Sequence, residues 1–280
     1  MKTSKQLIDL IRNKAKKLGI DAQLLLKRYF MEQILARISN SEYKNSFILK
    51  GGLLISSMVG ISSRTTQDMD VTILNNPLNE ENIKRIILEI CSIDIGDNIR
   101  YELVSATKIR EEFDYPGIRL SFKVYMDKIV DYVKMDITTG DTITPREIIY
   151  GYKLLLEDKT IELYSYSIET VIAEKLESIL SKNILGTRMR DYYDLYMLEK
   201  LFIDKIDKNL QKLALENTCK KRKTVYILNN TNDIITKIEN DITQLELWKN
   251  YTSKNTYVEN ISFKDTLESI RTILKFIEVI

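Results

Sequence analysis

The chain has 280 residues, 44% apolar and 29% charged, with nine Gly, three Pro and a formal net charge of +2. That length holds one large or two modest domains, and the composition suits a helix-rich globular protein rather than a disordered or fibrous one. The sequence contains no histidine, which excludes serine–histidine triads, cysteine–histidine dyads and histidine-ligated zinc or iron, so acid–base work falls to Asp, Glu, Lys or Tyr.

Residues 3–17 and 21–39 carry helical stripes, among them Ile8 and Ile11, then Leu25, Phe30, Ile34 and Ile38. Phe47, Ile48 and Leu49 read as a short strand that leads through Lys50 into a tight turn at Gly51-Gly52. Residues 53–59 then read as a helix stopped by Gly60. A strand follows at Asp68-Met69-Asp70-Val71-Thr72-Ile73, a turn at Asn75-Asn76-Pro77, and an amphipathic helix over 79–94. Residues 100–107 read as a strand. Residues 117–125 alternate strictly, and 129–137 alternate again after the short connection Asp127-Lys128, which predicts a hairpin. Past a transition near 160–166 the pattern is helical, over 167–183, 187–203, 205–216, 226–248 and 262–278. Strands followed by helices predict an α+β class with two domains, 1–163 and 164–280. Cys91 and Cys219 stand far apart and suggest a reducing compartment. Neither a signal peptide nor a membrane-spanning run is evident, so a cytoplasmic protein without a membrane partner is expected.

The chemistry concentrates in the first half. A strand turns alternate side chains to one face, so Asp68, Asp70 and Thr72 share a face while Met69, Val71 and Ile73 face the core. Two carboxylates side by side repel, and a divalent cation relieves that; magnesium, with its preference for oxygen, is the natural candidate. The glycine turn before a helix lets backbone N–H groups approach an anion. Asp136 ends the strand 129–137 on its polar face as a third carboxylate. Further on, Lys175 falls within the apolar arc of Ile168, Val171, Ile172, Leu176 and Ile179, with Glu174 and Glu177 pointing outward. Asp191 shares a face with Leu195, Leu198 and Phe202, with Asp194 nearer the edge. Inward Lys175 and Asp191 either neutralise one another or serve an active site. Lys220-Lys221-Arg222-Lys223 is the densest basic run, either a solvated helix end or a contact for a phosphate backbone.

Taken in order, Leu49-Lys50-Gly51-Gly52, Arg64-Thr65-Thr66-Gln67-Asp68-Met69-Asp70, Val133-Lys134-Met135-Asp136, Ala173-Glu174-Lys175 and Arg188-Met189-Arg190-Asp191 resemble the AbiE-type abortive-infection toxins, the AbiEii family of the nucleotidyltransferase superfamily. The match runs from about residue 46 to 200. It implies a polymerase-beta-like palm, a mixed sheet with helices, followed by a helical domain that contributes Lys175 and Asp191 to the cleft. It also implies a toxin of a toxin–antitoxin, phage-defence system that uses Mg2+ to transfer nucleotide from an NTP to an RNA acceptor. The tRNA 3′ end is the substrate class of related toxins, and a cognate antitoxin encoded nearby is the implied partner. The resemblance assigns Asp68, Asp70 and Asp136 to the metals. It assigns Lys50, Gly51, Gly52, Arg64, Thr66 and Lys175 to the nucleotide, and Asp191 a place beside Lys175 in catalysis. The sequence departs from the superfamily where Gly52 replaces a frequent Ser, and in a longer stretch from Gly52 to Asp68. The alternatives are transfer to a protein or small-molecule hydroxyl, and a catalytically inactive nucleotide-binding partner protein.

Overall fold

A computed structural model describes residues 3–109 and 117–280, and the chain divides into two compact units. The first comprises Met1–Asp141 with Ile148–Ser165, and the second Thr142–Glu147 with Tyr166–Ile280.

In the first unit, helix α1 (Ser4–Leu18) is capped at Thr3 by a reciprocal Thr3–Gln6 box and turns its Leu7, Ile11 and Ala15 inward. Helix α2 (Ala22–Ser39) is buried almost all round from Leu25 onward, charged residues included. Those charges are tolerated because each has a partner. Arg28 Nε donates to Glu32 (2.8 Å), and Arg37 chelates Asp97 through Nη1 and Nη2 (2.7 and 2.8 Å).

Strand β1 (Phe47–Lys50) runs straight into helix α3 (Gly51–Val59), so the two glycines form the first turn of the helix instead of preceding it. Strand β2 (Asp68–Ile73), helix α4 (Glu80–Ser92), and strands β3 (Arg100–Ile109), β4 (Gly117–Met126) and β5 (Ile129–Thr138) follow. Two further strands, β6 (Ile148–Lys153) and β7 (Thr160–Ser165), complete a mixed sheet in the order β3-β4-β5-β2-β1-β7-β6. The pairs β2/β5 and β1/β7 are parallel and the others antiparallel. One face of the central strands is core, with Leu49, Met69, Val71, Val133, Met135 and Ile137 buried.

The described secondary structure of the second unit is helical: α5 (Ile168–Lys182), α6 (Met189–Phe202), α7 (Lys208–Arg222), α8 (Thr231–Asn240), α9 (Ile242–Lys254) and α10 (Phe263–Phe276), with short 3-10 turns. The single helix expected over 226–248 is two. Asp241 adopts an extended backbone and its carboxylate accepts from Gln244 N, ending one helix and capping the next. Glu177 also departs from its expected outward direction. It is buried, and it accepts from Arg222 Nη1 (2.6 Å) and Thr224 Oγ1 (3.0 Å). Arg222 of the basic run is thereby tied to α5, with Glu174 as a second partner at 2.7 Å. Among the described residues no helix is long and apolar enough to cross a membrane.

Candidate active site

The register of four strands builds a row of charges on the polar face of the sheet. Arg119 on β4 is the partner of Asp136 on β5, Asp136 of Asp70 on β2, and Asp70 of Lys50 on β1. Directly paired residues point to the same face, and neighbouring strands lie about 4.8 Å apart. The row thus reads cation, acid, acid, cation. One step along, Asp68 is paired with Lys134, and both are exposed. One step the other way, Thr72 is paired with Thr138, and their hydroxyls lie 3.1 Å apart.

Both ends of the row are engaged. Arg119 Nε and Nη2 donate to the two oxygens of Asp136, each at 2.7 Å. The pair holds the Arg119 guanidinium raised above its ordinary range, and the charges of Asp68 and Asp70 add to the effect. All three acids therefore act on one cation. At the other end, Lys50 is buried and its ammonium donates to Thr138 Oγ1 (2.6 Å) and to Asp141. Burial alone would raise the Asp141 carboxyl. The Lys50 charge, with hydrogen bonds from Lys50, Thr72 and Thr138, outweighs burial and holds Asp141 well below the usual carboxylate range.

The glycines fit closely against this row. Gly51 has φ +64, in the left-handed region that favours glycine. A Cβ there would stand 2.2 Å from Asp70 Oδ2, so Asp70 lies against the first residue of α3. That is where a helix has N–H groups without intrahelical partners and favours negative charge. A Cβ on Gly52 would stand 2.8 Å from Thr66 Oγ1 and 3.1 Å from Arg64 Nη2. Arg64 is buried, and its carbonyl accepts from Ser56, whose hydroxyl accepts in turn from Arg28 Nη1 at 2.7 Å. The buried charge pair of α2 thus anchors the loop that carries Arg64 and Thr66. Gly51, Gly52, Arg64, Thr66, Asp68, Asp70 and Asp136 are brought together on one end of the sheet. Lys50 shares that face, but its ammonium is committed to Asp141 and Thr138.

Magnesium takes oxygen ligands, and Asp68, Asp70 and Asp136 offer only oxygen. Their donor chemistry fits that ion. Asp136, however, is held by a guanidinium on both oxygens, and among the described residues no three acidic or thiol side chains form a metal cage.

In the second unit, Lys175 Nζ lies 2.6 Å from Asp191 and 2.7 Å from Asp194. Burial would lower this ammonium, but the two carboxylates outweigh it and hold it raised. Asp194, expected nearer the edge, is the deeper of the two, fully buried where Asp191 is 14% exposed. Arg188 and Arg190 are exposed.

A family model for the nucleotidyl transferase AbiEii toxin of a Type IV toxin–antitoxin system matches residues 33–270. The chain belongs to that family. It is therefore an NTP-dependent nucleotidyltransferase and the toxin of a toxin–antitoxin pair, with a cognate antitoxin as its partner. Two solved structures from Helicobacter pylori are similar to this AbiEii protein in fold. The JHP933 protein is 16% identical with a TM-score of 0.50, over 92% of this chain and 94% of its own. A protein assigned as a nucleotidyltransferase is 14% identical with a TM-score of 0.49, over 92% of this chain and 98% of its own. No curated protein matches.

Two participants in the charge networks of this AbiEii chain, Arg119 and Asp141, escaped the sequence reading, and a third, Asp194, lies deeper than expected. Arg119 was legible, because a two-residue turn at Asp127-Lys128 fixes the hairpin register and sets Arg119 opposite Asp136. Asp194 sits one helical turn from Asp191 and was placed too near the edge. Asp141 lies past the end of β5, where no periodicity applies.

Proposed function

We propose that this toxin transfers a nucleotide from a nucleoside triphosphate to the 3′ end of an RNA, a transfer RNA by preference, with magnesium held by Asp68, Asp70 and Asp136. The sheet is read as the polymerase-beta-like palm, the second unit as the helical domain of that resemblance, and the cytoplasm as the place of action. The observation that carries the reading is the direct pairing of Asp70 with Asp136 beside Gly51, with Asp68 on the same face.

When bound, magnesium supplies the charge that stabilises the entering and leaving oxygens. The chain does the rest. The first turn of α3, kept bare of side chains by Gly51 and Gly52, offers backbone N–H groups to phosphate oxygens. Arg64 supplies positive charge beside that turn, and the Thr66 hydroxyl lies where Gly52 leaves room. Asp136 takes the proton of the attacking 3′-hydroxyl as its oxygen bonds to the α-phosphorus and pyrophosphate departs. The roles that the resemblance gives Lys175 and Asp191 stay with the resemblance. Their ion triad with Asp194 lies within the second unit.

A second acceptor class, a protein or small-molecule hydroxyl, is favoured by one observation: Arg222 of the basic run is consumed by Glu174 and Glu177, which thins the surface available to an RNA backbone. Incubation of the purified protein with magnesium, each labelled triphosphate in turn and a whole-cell extract that supplies RNA, protein and small-molecule hydroxyls separates the two. Label that ribonuclease removes supports RNA. Label that resists ribonuclease supports the second class, and no label with any of the four triphosphates overturns both.

A further inference from the structure

Arg119 grips Asp136 in the strongest geometry available to a carboxylate, a planar fork that uses both oxygens at 2.7 Å. The acid is 9% exposed and the arginine side chain 41%. The carboxylate is thus fixed in the sheet, while the guanidinium has solvent to move into. Asp70 is the next residue along the same row, and like charges set directly opposite one another destabilise a sheet. Arg119 supplies from within the chain the positive charge that these acids otherwise require. It does so on the atoms that a cation would need.

We propose that Arg119 is a built-in counter-ion of the acidic row, which competes with a divalent cation for Asp136 and must swing off before Asp136 can ligate. The proposal rests on the reading of Asp68, Asp70 and Asp136 as the metal-holding row. It makes Arg119 a positioning residue, which holds the Asp136 carboxylate aimed through both oxygens until the cation arrives and sets how tightly that cation is held.

The test is Mn2+ alone, titrated into the full chain and followed by the electron paramagnetic resonance of unbound Mn2+. Arg119→Gln should bind Mn2+ about tenfold more tightly than the wild type. Arg119→Lys keeps the charge but cannot chelate two oxygens, and should gain about threefold. The gain should vanish in the Asp136→Asn background, where a merely structural role for Arg119 predicts no such dependence. Should Asp70→Asn weaken Mn2+ binding while neither Arg119 variant binds more tightly, the acidic row stands and the role of Arg119 is wrong. Should Asp70→Asn leave Mn2+ binding unchanged, the metal reading itself fails and this inference with it. A melting curve for each variant identifies a folding defect, and Arg119→Lys decides the matter where Arg119→Gln is unfolded.

Discussion

Asp141 is stable as a buried anion only because Lys50, Thr72 and Thr138 surround it. Its folded carboxyl is depressed below the unfolded value. The stability it contributes is therefore present above the usual carboxylate range and is lost as pH falls through the folded value. Asp141→Asn removes the negative charge against a buried ammonium and should cost about 3 kcal/mol. Urea unfolding of the two proteins should give a constant difference between pH 8 and pH 5 that shrinks only in stronger acid. A difference that grew on acidification would contradict the pairing. At this scale the sequence was informative wherever a strand alternates. The common face of Asp68 and Asp70 follows from period two, and so does the polar direction of Asp136. The pairing of Asp70 with Asp136 does not, because β2 and β5 are distant in sequence and no local pattern encodes which strands meet.

Between elements, the Lys175 ammonium of α5 bridges to two carboxylates of α6, Asp191 and Asp194. Because the folded Lys175 is raised, its contribution is fully present below the unfolded lysine value and is lost only as pH rises through the folded one. Lys175→Met removes the ammonium 2.7 Å from Asp194, whose side chain is 0% exposed, and should destabilise the protein by roughly 3 kcal/mol at neutral pH. An unchanged thermal melt would show that the triad holds nothing together. Element boundaries were legible where apolar spacing is regular, as in α4 and α10, whose buried residues lie on one face. The reading failed where polar residues interrupt. Asn240-Asp241 lies inside a continuous helical pattern, and only the cap geometry reveals the break. Strand β6 was missed because it is a half-exposed edge with Gly151 at its centre, so it presents little apolar face.

For the molecule as a whole, the family match over residues 33–270 agrees with the motifs between residues 46 and 200 and extends beyond them. The final 80 residues carried no motif, yet they fold into helices with apolar interiors such as Leu267, Ile270 and Ile273. Packing there asks only for apolar spacing, which many sequences satisfy, so function cannot be read from it. The charged row is the reverse case, since each residue in it is set by chemistry. Incorporation of labelled nucleotide by Asp70→Asn tests that row most directly, with magnesium and RNA saturating and the melting temperature matched to the wild type. A fall of at least about a hundredfold is expected; incorporation near the wild-type rate would contradict the account.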